Sequence, residues 1–440
     1  MRSIPVDLTG TIRYFRMYLY APSGERRPIG YLSSYGDIMR VSFDEDYIND
    51  PQRLTLSMLY RGADDAQTRA ILSAKHDMRV VTNTGRWPSY FENLLPEGHN
   101  RDRLAQQRHC SRDDEFELLA AAGHDLMGAL EVEPAPADQE IPKSVRHWHT
   151  AMGLDVLEPG FVEMPVEDGS ALPGAVTKFS AVQDGRRYVV RRHGHAGSHI
   201  LKLPSSTHTD MALNEYAGYG LCAKLELHCA HAALITREEA ELPEQVPFDF
   251  ILAVQRFDRA GDRRVHMEEF AQAMGLTPAQ KYGRDLLTDY GQMLRVLNEQ
   301  SVRPAQDVRE FLGRMVAFIL MGNTDAHLKN WALLYEDGIR PALAPLYDPV
   351  SVSSYFKGNP NAYAHNRAID RTVSNFGWEE MRQLIEIAGL SRPSVLIRHC
   401  RDLVAQAKKS WPKALEEYAA PPAMVEEITE RLGGKVALAR

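Results

Sequence analysis

The sequence predicts an α+β protein with two lobes and a cleft between them, preceded by a mixed α/β subdomain. Three observations support this fold class. The chain has 440 residues, which is too long for one simple core and predicts two or three structural units. Short β-rich runs dominate from residue 172, and the chain becomes mostly helical after Arg259. A strand-rich piece followed by a helix-rich piece is typical of α+β proteins with separate lobes.

The predicted units are residues 1–133, 134–258 and 259–440. In the first unit, "FRMYLY" and "PIGYLSSYG" alternate as strands do, and the polar stretch "DPQRLTLSMLYRGA" is predicted to be helical. Residues 134–170 carry repeated prolines with few periodic apolar positions. This composition predicts a linker or an ordered surface crossing at the start of the second unit.

The second unit is predicted to hold a small sheet and one helix. "KFSAV" and "RRYVV" are β-rich runs joined by "QDGR", whose Asp-Gly pair is a hairpin signal, and "SHILKLP" and "FDFILAVQ" follow as strands. "TDMALNEYAGYGLCAKL" has helical spacing, with Asp210 as its predicted N-cap. The helices predicted after Arg259 are "LLTDYGQMLRVLNEQ", "DVREFLGRMVAFILM", "WEEMRQLIEIAG", "PSVLIRHCRDLVAQAKKSW" and "PAMVEEITERLGGKVALA".

Composition narrows the class of protein. No apolar run approaches the ~18 residues of a membrane span, and the first twenty residues lack the features of a signal peptide. The four cysteines include no C-x-x-C pair, which argues against a disulfide framework and for a reducing cytoplasm. A net charge of −8 disfavours a broad nucleic-acid-binding face, although a basic partner could bring the chain to DNA. We therefore expect a cytoplasmic protein without a membrane partner.

The stretch "MGNTDAHLKN" concentrates polar residues directly after the apolar run "RMVAFIL". Asp325 and Asn330 stand five residues apart, as do the catalytic Asp and the Mg²⁺-binding Asn of kinase catalytic loops. Such an Asp takes or orients the proton of the acceptor hydroxyl. Between the two, Lys329 is a candidate to neutralise the γ-phosphate, and His327 is expected to support the geometry of the loop. Taken alone, the pair also fits a capped helix end, because Asp and Asn are common in loops.

Two further features add candidate charges to this loop. "WALLYE" and "PALAPLY", joined by "DGIR", predict a hairpin that returns Asp348 beside Asn330 as a second metal ligand. Lys202 lies in the predicted strand "HILKLP", and Glu215 lies 13 residues further on in a helix. A strand Lys held by a helix Glu is how kinases aim an ammonium at the α- and β-phosphates. The alternatives are a turn Asp and a half-exposed strand Lys with an unrelated Glu.

The third feature is the stretch "LPGAVTK" before a strand, in which Gly174 and Ala175 would let backbone N–H groups approach phosphate beside Lys178. It matches neither G-x-x-x-x-G-K-[ST] nor G-x-G-x-x-G and is weak alone. The order of the features carries more weight. A Gly-containing loop, a strand Lys, a helix Glu, a hinge strand, a helix, D-x-x-x-x-N, a hairpin and an Asp follow one another as a two-lobed protein-kinase-like fold requires.

These motifs resemble those of the HipA-type serine/threonine kinases, toxins of bacterial toxin–antitoxin modules. "FENLLPEG" and "GHDLMGALEV" are similar to the family's N-terminal subdomain, and "HILKLP", "NEYAGYGLCAKL", "VQRFDR", "GNTDAHLKN" and "LYDPVS" follow its kinase core in order. The resemblance implies an ATP- and Mg²⁺-dependent protein kinase whose targets include aminoacyl-tRNA synthetases. It also implies a HipB-like helix-turn-helix antitoxin, operator DNA bound through that antitoxin, and autophosphorylation of a serine in the Gly-containing loop.

The resemblance also implies a role for each matching residue. Asp325 would be the catalytic Asp, Lys202 the phosphate anchor, and Asn330 and Asp348 the Mg²⁺ ligands. The residues expected to contact the rest of the nucleotide are, for the phosphates, Gly174, Ala175 and Lys178, for the adenine, Gln255 and Phe257, and for the ribose, Asp258.

The chain departs from the family pattern at two places. Family members read Ser-x-x-Gly-x-Gln-x-Lys where this chain reads "ALPGAVTK", with Ala171 at the serine position, and Gln255 stands where Glu is common. The altered loop keeps a second hypothesis open, a nucleotide-binding pseudokinase that acts through its antitoxin and operator contacts. A third hypothesis is a metal-dependent hydrolase using Asp325, His327 and Asp348, for which the sequence offers no further ligand at suitable spacing.

Overall fold

The computed structural model describes residues 10–135, 140–146, 157–166, 172, 177–190, 197–204, 208–242, 248–261, 263–356 and 364–440. The N-terminal region is built on a six-stranded sheet of β1 (Gly10–Tyr20), β2 (Arg26–Tyr35), β3 (Ile38–Phe43), β4 (Val81–Thr82), β5 (Leu130–Pro134) and β6 (Leu157–Pro159). The strands β4-β3-β2-β1-β5 are antiparallel neighbours in that order, and β6 pairs with β1 in parallel. Its helices are α1 (Glu45–Asn49), α2 (Asp65–Leu72), α3 (Ser89–Glu92), α4 (Gly98–Arg108), α5 (Glu115–Ala122) and α6 (Lys143–Arg146).

Strand β1 shows why this sheet forms. Phe15, Met17 and Leu19 alternate along the strand and are all buried, because successive side chains of a strand point to opposite faces. They pack into a core with aromatic side chains such as Trp87 and Phe116 from the segments that cover the sheet. The strands predicted from "FRMYLY" and "PIGYLSSYG" are therefore confirmed.

The helix predicted over "DPQRLTLSMLYRGA" is wrong. Only Met58–Tyr60 forms a short 3-10 turn; residues 54–57 before it are buried and lie outside any helix, and Pro51 and Gln52 form an exposed turn. The backbone N–H and the hydroxyl of Thr55 donate to carbonyls of a distant hairpin, at Gly338 and Ile339, and the Ser57 hydroxyl donates to Glu268. These long-range hydrogen bonds satisfy polar groups of the segment in a non-helical conformation. Tertiary contacts thereby override the local preference for a helix.

The second sheet is antiparallel and has five strands in the order β10-β11-β9-β7-β8. Its elements are β7 (Lys178–Asp184), β8 (Arg187–Val189), β9 (His199–Lys202), α7 (Met211–Ala223), β10 (Ala232–Thr236) and β11 (Phe250–Gln255). The Asp-Gly hairpin joins β7 to β8 as predicted. Lys178 lies opposite Lys202 in the pairing of β7 with β9, so both ammonium groups start from neighbouring positions. Asp210 is the N-cap residue of α7, although its side chain makes no capping hydrogen bond.

The remaining chain is mostly helical, as predicted. Its helices are α8 (Phe270–Ala273), α9 (Leu286–Gln300), α10 (Pro304–Met321), α11 (Ala364–Asn375), α12 (Trp378–Ile387), α13 (Pro393–Glu417) and α14 (Pro422–Glu430). Its short strands are β12 (Arg259–Ala260), β13 (Arg263–Arg264), β14 (His266–Glu269), β15 (Ala332–Tyr335) and β16 (Ala342–Leu343). The hairpin predicted between Asn330 and Asp348 is formed by β15 and β16.

Helix α10 lies at the centre of the largest apolar core and leads into the polar stretch that follows it. Its residues Phe311, Leu312 and Val316 are buried among side chains of the neighbouring helices. Gly322 ends the helix in the left-handed region at φ 74°, and its N–H donates to Phe318 O. Among the described residues, no helix combines the length and apolar character that crossing a bilayer requires.

Candidate active site

A cavity of about 470 Å³ lies between the second sheet with α7 and the helical region. All the described residues that the sequence predicts for the site line it: Lys178, Lys202, Glu215, Gln255, Phe257, Asp258, Asp325, His327, Lys329, Asn330 and Asp348. Gly174 and Ala175, predicted to cradle phosphates, lie outside the described residues. The chain therefore brings residues up to about 170 positions apart into one cleft, while their individual roles stay predictions.

Lys202 joins the two sides of the cleft. Its Nζ donates to Glu215 Oε1 of α7 at 2.5 Å and to Asp348 Oδ1, and Lys178 Nζ lies 3.9 Å from Asp348 Oδ2. Burial acts to lower the pKa of Lys202, but Asp348 and Glu215 outweigh it and raise that pKa above its ordinary value. Burial likewise acts to raise the pKa of Asp348, yet the two lysines hold it well below its usual range. Burial raises the pKa of Glu215 and lowers the pKa of Lys178, so of the four groups Lys202 and Asp348 are the ones held most strongly in their charged forms.

The loop after α10 is held by its own asparagines. Asn323 accepts from the Asp325 N–H through Oδ1 at 3.2 Å and donates through Nδ2 to Asp348 O at 3.1 Å. Asn330 donates through Nδ2 to Asp325 O at 2.7 Å. Because its amide nitrogen is used inside the loop, the Asn330 side-chain oxygen is the atom left to coordinate a cation. These contacts fix Asp325, Asn330 and the backbone of Asp348 relative to one another.

The carboxylate of Asp325 accepts one hydrogen bond from the described residues. Tyr282 donates its hydroxyl to Asp325 Oδ1 at 2.7 Å, and the Tyr282 ring meets the His327 ring edge-on at 5.3 Å between centroids. Burial lowers the pKa of His327 to about 4, so the imidazole is neutral near pH 7. A neutral ring next to the loop agrees with a supporting rather than a charge-carrying function for His327.

Lys329, predicted to neutralise the γ-phosphate, is paired with groups of the protein itself. Its Nζ contacts Glu97 Oε1 at 2.7 Å, Glu269 Oε2 at 3.6 Å and Asn93 O at 3.3 Å, and its side chain is 3% exposed. Burial acts to lower the pKa of Lys329, but Glu269 and Glu97 raise it. Two carboxylates and a carbonyl thus occupy the ammonium, and this arrangement is at odds with direct neutralisation of a γ-phosphate.

Asp258, expected to contact the ribose, is also paired with groups of the protein itself. Its carboxylate accepts from Arg256 through two nitrogens at 3.0 and 2.9 Å, from Arg259 at 2.7 Å and from Gly128 N at 2.8 Å. Both arginines also contact Asp125 of the N-terminal region. This buried network ties the N-terminal region to the end of the second sheet, and it leaves Asp258 little capacity for the ribose contact expected from the sequence.

Apolar side chains line the part of the cavity next to β11. They are Met127, Leu172, Ile200, Val254, Met267 and Val350. Gln255 is exposed at the end of β11, and the ring of Phe257 lies 5.7 Å from that of Tyr347. Such a half-apolar slot beside a cluster of charges could hold a flat heterocycle with an anionic tail.

The polar end of the cavity could hold a divalent cation only with help from a ligand. Asn330 and Asp348 offer hard oxygen atoms of the kind that Mg²⁺ prefers, and Mg²⁺ commonly takes its other ligands from phosphates and water. Within the described ranges, no group of three or more His, Cys, Asp or Glu side chains is arranged to hold a metal. The residues present therefore fit Mg²⁺ that arrives with a nucleotide better than they fit the metal-dependent hydrolase hypothesis.

Comparison with known proteins agrees with this architecture. A model of the HipA-like C-terminal domain matches residues 170–411, and a model of the HipA N-terminal domain matches residues 23–133. The Sinorhizobium fredii protein named "Putative kinase Y4dM" is 31% identical over 392 residues, which are 87% of this chain and 89% of that protein. The Shewanella oneidensis "Serine/threonine-protein kinase toxin HipA" is 24% identical over 290 residues, 60% of this chain and 63% of that protein.

The solved structure of Shewanella oneidensis HipA in complex with HipB and operator DNA has the same fold, with a TM-score of 0.62, 19% identity and 96% of each chain covered. The fold and the cleft thus define a two-lobed, kinase-like α+β protein. The chain belongs to the HipA-like family, as the matched domains and the relatives show. The resemblance and fold class predicted from the sequence are confirmed.

Three residues of the site escaped the sequence analysis. Glu97, Tyr282 and Asn323 all line the cavity, yet none stands in a spacing that marks it as functional. Asn323 had a local signal, because it directly follows the helix-ending Gly322 in the same polar stretch. Glu97 lies within "FENLLPEG", but that stretch gave no indication that its partners are in the helical region, and Tyr282 had no signal.

Proposed function

We propose that this protein is an ATP- and Mg²⁺-dependent serine/threonine protein kinase. The observation that carries the proposal is Lys202, which bridges Glu215 and Asp348 in the cavity that also holds Asp325 and Asn330. A strand Lys paired with a helix Glu, beside a metal-binding Asp, is the arrangement that phosphoryl transfer by kinases uses.

Each residue has a defined task in this proposal. When bound, Mg·ATP supplies the transferable phosphoryl group. Lys202 binds the α- and β-phosphates while Glu215 orients its ammonium, and Asn330 and Asp348 supply oxygen ligands to the cation. Asp325 orients the acceptor hydroxyl and takes its proton, a role for which a carboxylate with a single hydrogen bond is suited.

Lys202 and Asp348 must separate for both to act. The cluster is formally neutral in the structure, because Lys178 and Lys202 face Asp348 and Glu215. Binding of a cation by Asp348 would free Lys202 for the phosphates while Glu215 keeps hold of it. The contact between Lys202 and Asp348 therefore holds the two sides of the cleft together until a nucleotide replaces it.

We further propose that the kinase is the toxin of a HipBA-type toxin–antitoxin module. Membership of the HipA-like family and the shared fold with a HipA solved with HipB and operator DNA support a HipB-like helix-turn-helix antitoxin as partner. A net charge of −8 favours operator contact through the antitoxin rather than through this chain. The protein substrate is expected to serve translation, as an aminoacyl-tRNA synthetase does, and the chain is expected to act in the cytoplasm.

The test is to incubate the protein and its Asp325→Ala variant with labelled Mg·ATP and a cell lysate. We expect labelled phosphate on one lysate protein or on the chain itself, and none with Asp325→Ala, although that variant still binds ATP. Asp337→Ala, which changes a hairpin-turn aspartate outside the cavity, is the matched control and should keep full labelling. Bound ATP with no label from the unmodified protein would contradict the proposal and leave the pseudokinase.

A further inference from the structure

Glu97 reaches the candidate catalytic loop from the N-terminal region. Glu97 is the N-cap residue of α4, and each of its two carboxylate oxygens contacts a different lysine of the helical region. Glu97 Oε1 lies 2.7 Å from Lys329 Nζ, and Glu97 Oε2 lies 2.9 Å from Lys281 Nζ. Burial acts to raise the pKa of Glu97, but the two lysines lower it to about 2, so the carboxylate stays ionised at neutral pH.

Each of the two lysines is connected to Asp325 through neighbouring residues. Lys329 follows it within the loop and immediately precedes Asn330. Lys281 immediately precedes Tyr282, whose hydroxyl donates to Asp325, and the Lys281 carbonyl accepts from the Leu328 N–H at 2.9 Å. The Glu97 carboxylate thus contacts two segments of the chain, and each of these segments also contains or contacts the proposed catalytic Asp325.

Without Glu97, Lys329 would lose its closest partner. Among the described residues, its Nζ would keep only Glu269 as a carboxylate partner, at 3.6 Å, which is beyond the range of a good hydrogen bond. A buried ammonium that lacks a full counter-charge is costly, and it relieves that cost by moving toward other anions or water. The open cavity offers such a route, and a displaced Lys329 would carry Asn330 with it.

Other contacts extend the same support. Asn93 accepts from Lys329 Nζ through its carbonyl and donates from its side chain to Leu276 O at 2.7 Å. Asn100 of α4 accepts from the Lys178 N–H at 3.4 Å, at the first residue of β7. The segment from Asn93 to Asn100 therefore touches the catalytic loop on one side and the proposed phosphate-binding strand on the other.

We propose that Glu97 is a positioning residue for phosphoryl transfer, through which the N-terminal region fixes Asp325 and Asn330. The proposal rests on the kinase function proposed above. It makes the N-terminal region a part of the catalytic apparatus, because the helical region alone supplies no counter-charge equivalent to Glu97 within the described contacts of Lys281 and Lys329.

The experiment compares Glu97→Gln with Glu117→Gln. Glu117 lies in the same region, is equally buried at 20% against 21% side-chain exposure, and also pairs with two cations, Arg13 and Arg108, but it lies outside the cavity. Steady-state transfer to a protein acceptor gives kcat and the KM for ATP. Hydrogen exchange of the Leu328 amide reports the loop directly, because its acceptor is the Lys281 carbonyl.

For Glu97→Gln we expect kcat to fall by between about ten-fold and about 100-fold, the scale of a small misplacement of reacting groups. The KM for ATP should change by less than about three-fold, because Glu97 contacts protein lysines, and the Leu328 amide should exchange faster. Glu117→Gln should leave all three readouts unchanged. A normal kcat in Glu97→Gln, or an equal loss in Glu117→Gln, would overturn the proposal.

Two further outcomes also have a defined meaning: a Glu97→Gln variant that does not fold, and an unmodified protein that transfers no phosphate. If Glu97→Gln does not fold, the double variant Glu97→Gln/Lys329→Met removes both charges of the pair and is judged by the same criteria; recovery of normal kcat in it would overturn the positioning role. If the unmodified protein transfers no phosphate, the kinase proposal fails on its own. The Leu328 exchange rate then decides whether Glu97 holds the loop, and an unchanged rate in Glu97→Gln would reject it.

Discussion

Two aspartates at the edge of one cleft are held in opposite ways. The carboxylate of Asp258 accepts four hydrogen bonds, from two arginines and one backbone amide, and its side chain is 5% exposed. Among the residues that the structure describes, the carboxylate of Asp348 contacts two lysine ammonium groups, and its side chain is 25% exposed. In both cases nearby cations hold the pKa of the carboxyl below its ordinary value against the opposing effect of burial.

The difference separates a structural carboxylate from one that is available for a ligand. A guanidinium binds a carboxylate through a planar fork of fixed geometry, whereas an ammonium is a mobile point charge that can turn to another anion. Asp258 therefore fixes the junction between the N-terminal region and β11. Asp348 can exchange its lysines for a cation at little geometric cost. A low pKa alone does not distinguish the two; the number and kind of donors does.

The largest expected effect comes from Asp348→Asn. Asp348 has φ 56°, in the left-handed region that Asn tolerates well, so the substitution changes the charge without straining the backbone. We expect phosphoryl transfer to fall by at least about 10³-fold, because a ligand of the cation and a partner of Lys202 are lost together. Steady-state labelling at saturating Mg²⁺ measures the rate.

The fold should survive this change, because Lys202 keeps Glu215 at 2.5 Å. Thermal unfolding should show a smaller loss of stability than the one expected for Asp258→Asn. Retention of the full transfer rate would show that Asp348 is as structural as Asp258 and would remove the contrast between them.

Asp258→Asn should act on stability instead. The amide would turn a donor toward Arg256, Arg259 or the Gly128 N–H, each of which is itself a donor, and would leave a buried guanidinium without its full counter-charge. We expect the free energy of unfolding to fall by about 3 to 5 kcal/mol. Urea denaturation measures it. If the variant has normal stability and a raised KM for ATP, the result would instead support the ribose contact that the sequence predicted for Asp258.

Local patterns in the sequence were enough to predict most of the fold. The β7–β8 and β15–β16 hairpins, α7 and the helices α9, α10, α12, α13 and α14 each carry their own signal, as an Asp-Gly turn or as helical spacing. The helix predicted for the segment from Asp50 to Ala63 was wrong, because hydrogen-bond partners of the segment, such as Gly338, lie more than 270 residues away in the sequence. The secondary-structure propensity of a short segment does not contain information about partners so distant in the sequence.

The site shows the same division. Motif order predicted that Lys202, Glu215, Asp325, Asn330 and Asp348 would share one cleft, because secondary structure fixes which residues reach its edge. Spacing could not predict which side of the loop each charged side chain would face. The partner that captures Lys329 stands 232 residues earlier in the chain, and the amide that donates to Asp258 stands 130 residues earlier.

A buried carboxyl with neutral donors is a third case beside the two aspartates. Glu268 accepts from Ser57, from the Met58 N–H and from Tyr335, and burial raises its pKa to about 7. A folded pKa above the unfolded value means that the stabilising contribution is complete below about pH 4.5 and is lost as the pH rises through about 7. We expect about 3 kcal/mol of stability to be lost over this window through Glu268.

Urea unfolding at intervals from pH 4.5 to pH 8 tests this contribution. Glu115 and Glu269 have pKa values raised to about 7 by burial as well, so the unmodified protein should lose stability over the same window through all three groups. Glu268→Gln cannot ionise and should show a shallower decline than the unmodified protein. Parallel pH profiles would mean that Glu268 does not hold its proton in the folded state.

The smallest expected effect concerns Asp325, whose carboxylate accepts a single hydrogen bond from the described residues, fewer contacts than Asp258 or Asp348 makes. The Tyr282 hydroxyl donates to Asp325 Oδ1 at 2.7 Å, the kind of contact that an acceptor hydroxyl must make with a catalytic carboxylate. Tyr282→Phe removes this competitor. Because a hydrogen bond to a charged group contributes about 1.5 to 3 kcal/mol and Tyr282 is partly exposed, we expect the KM for the protein acceptor to fall by about ten-fold with kcat unchanged. A fall in kcat would show instead that Tyr282 orients Asp325. The Asp325 carboxylate would then depend on a fixed donor, as Asp258 does. It would not exchange its partner for a ligand, as Asp348 does.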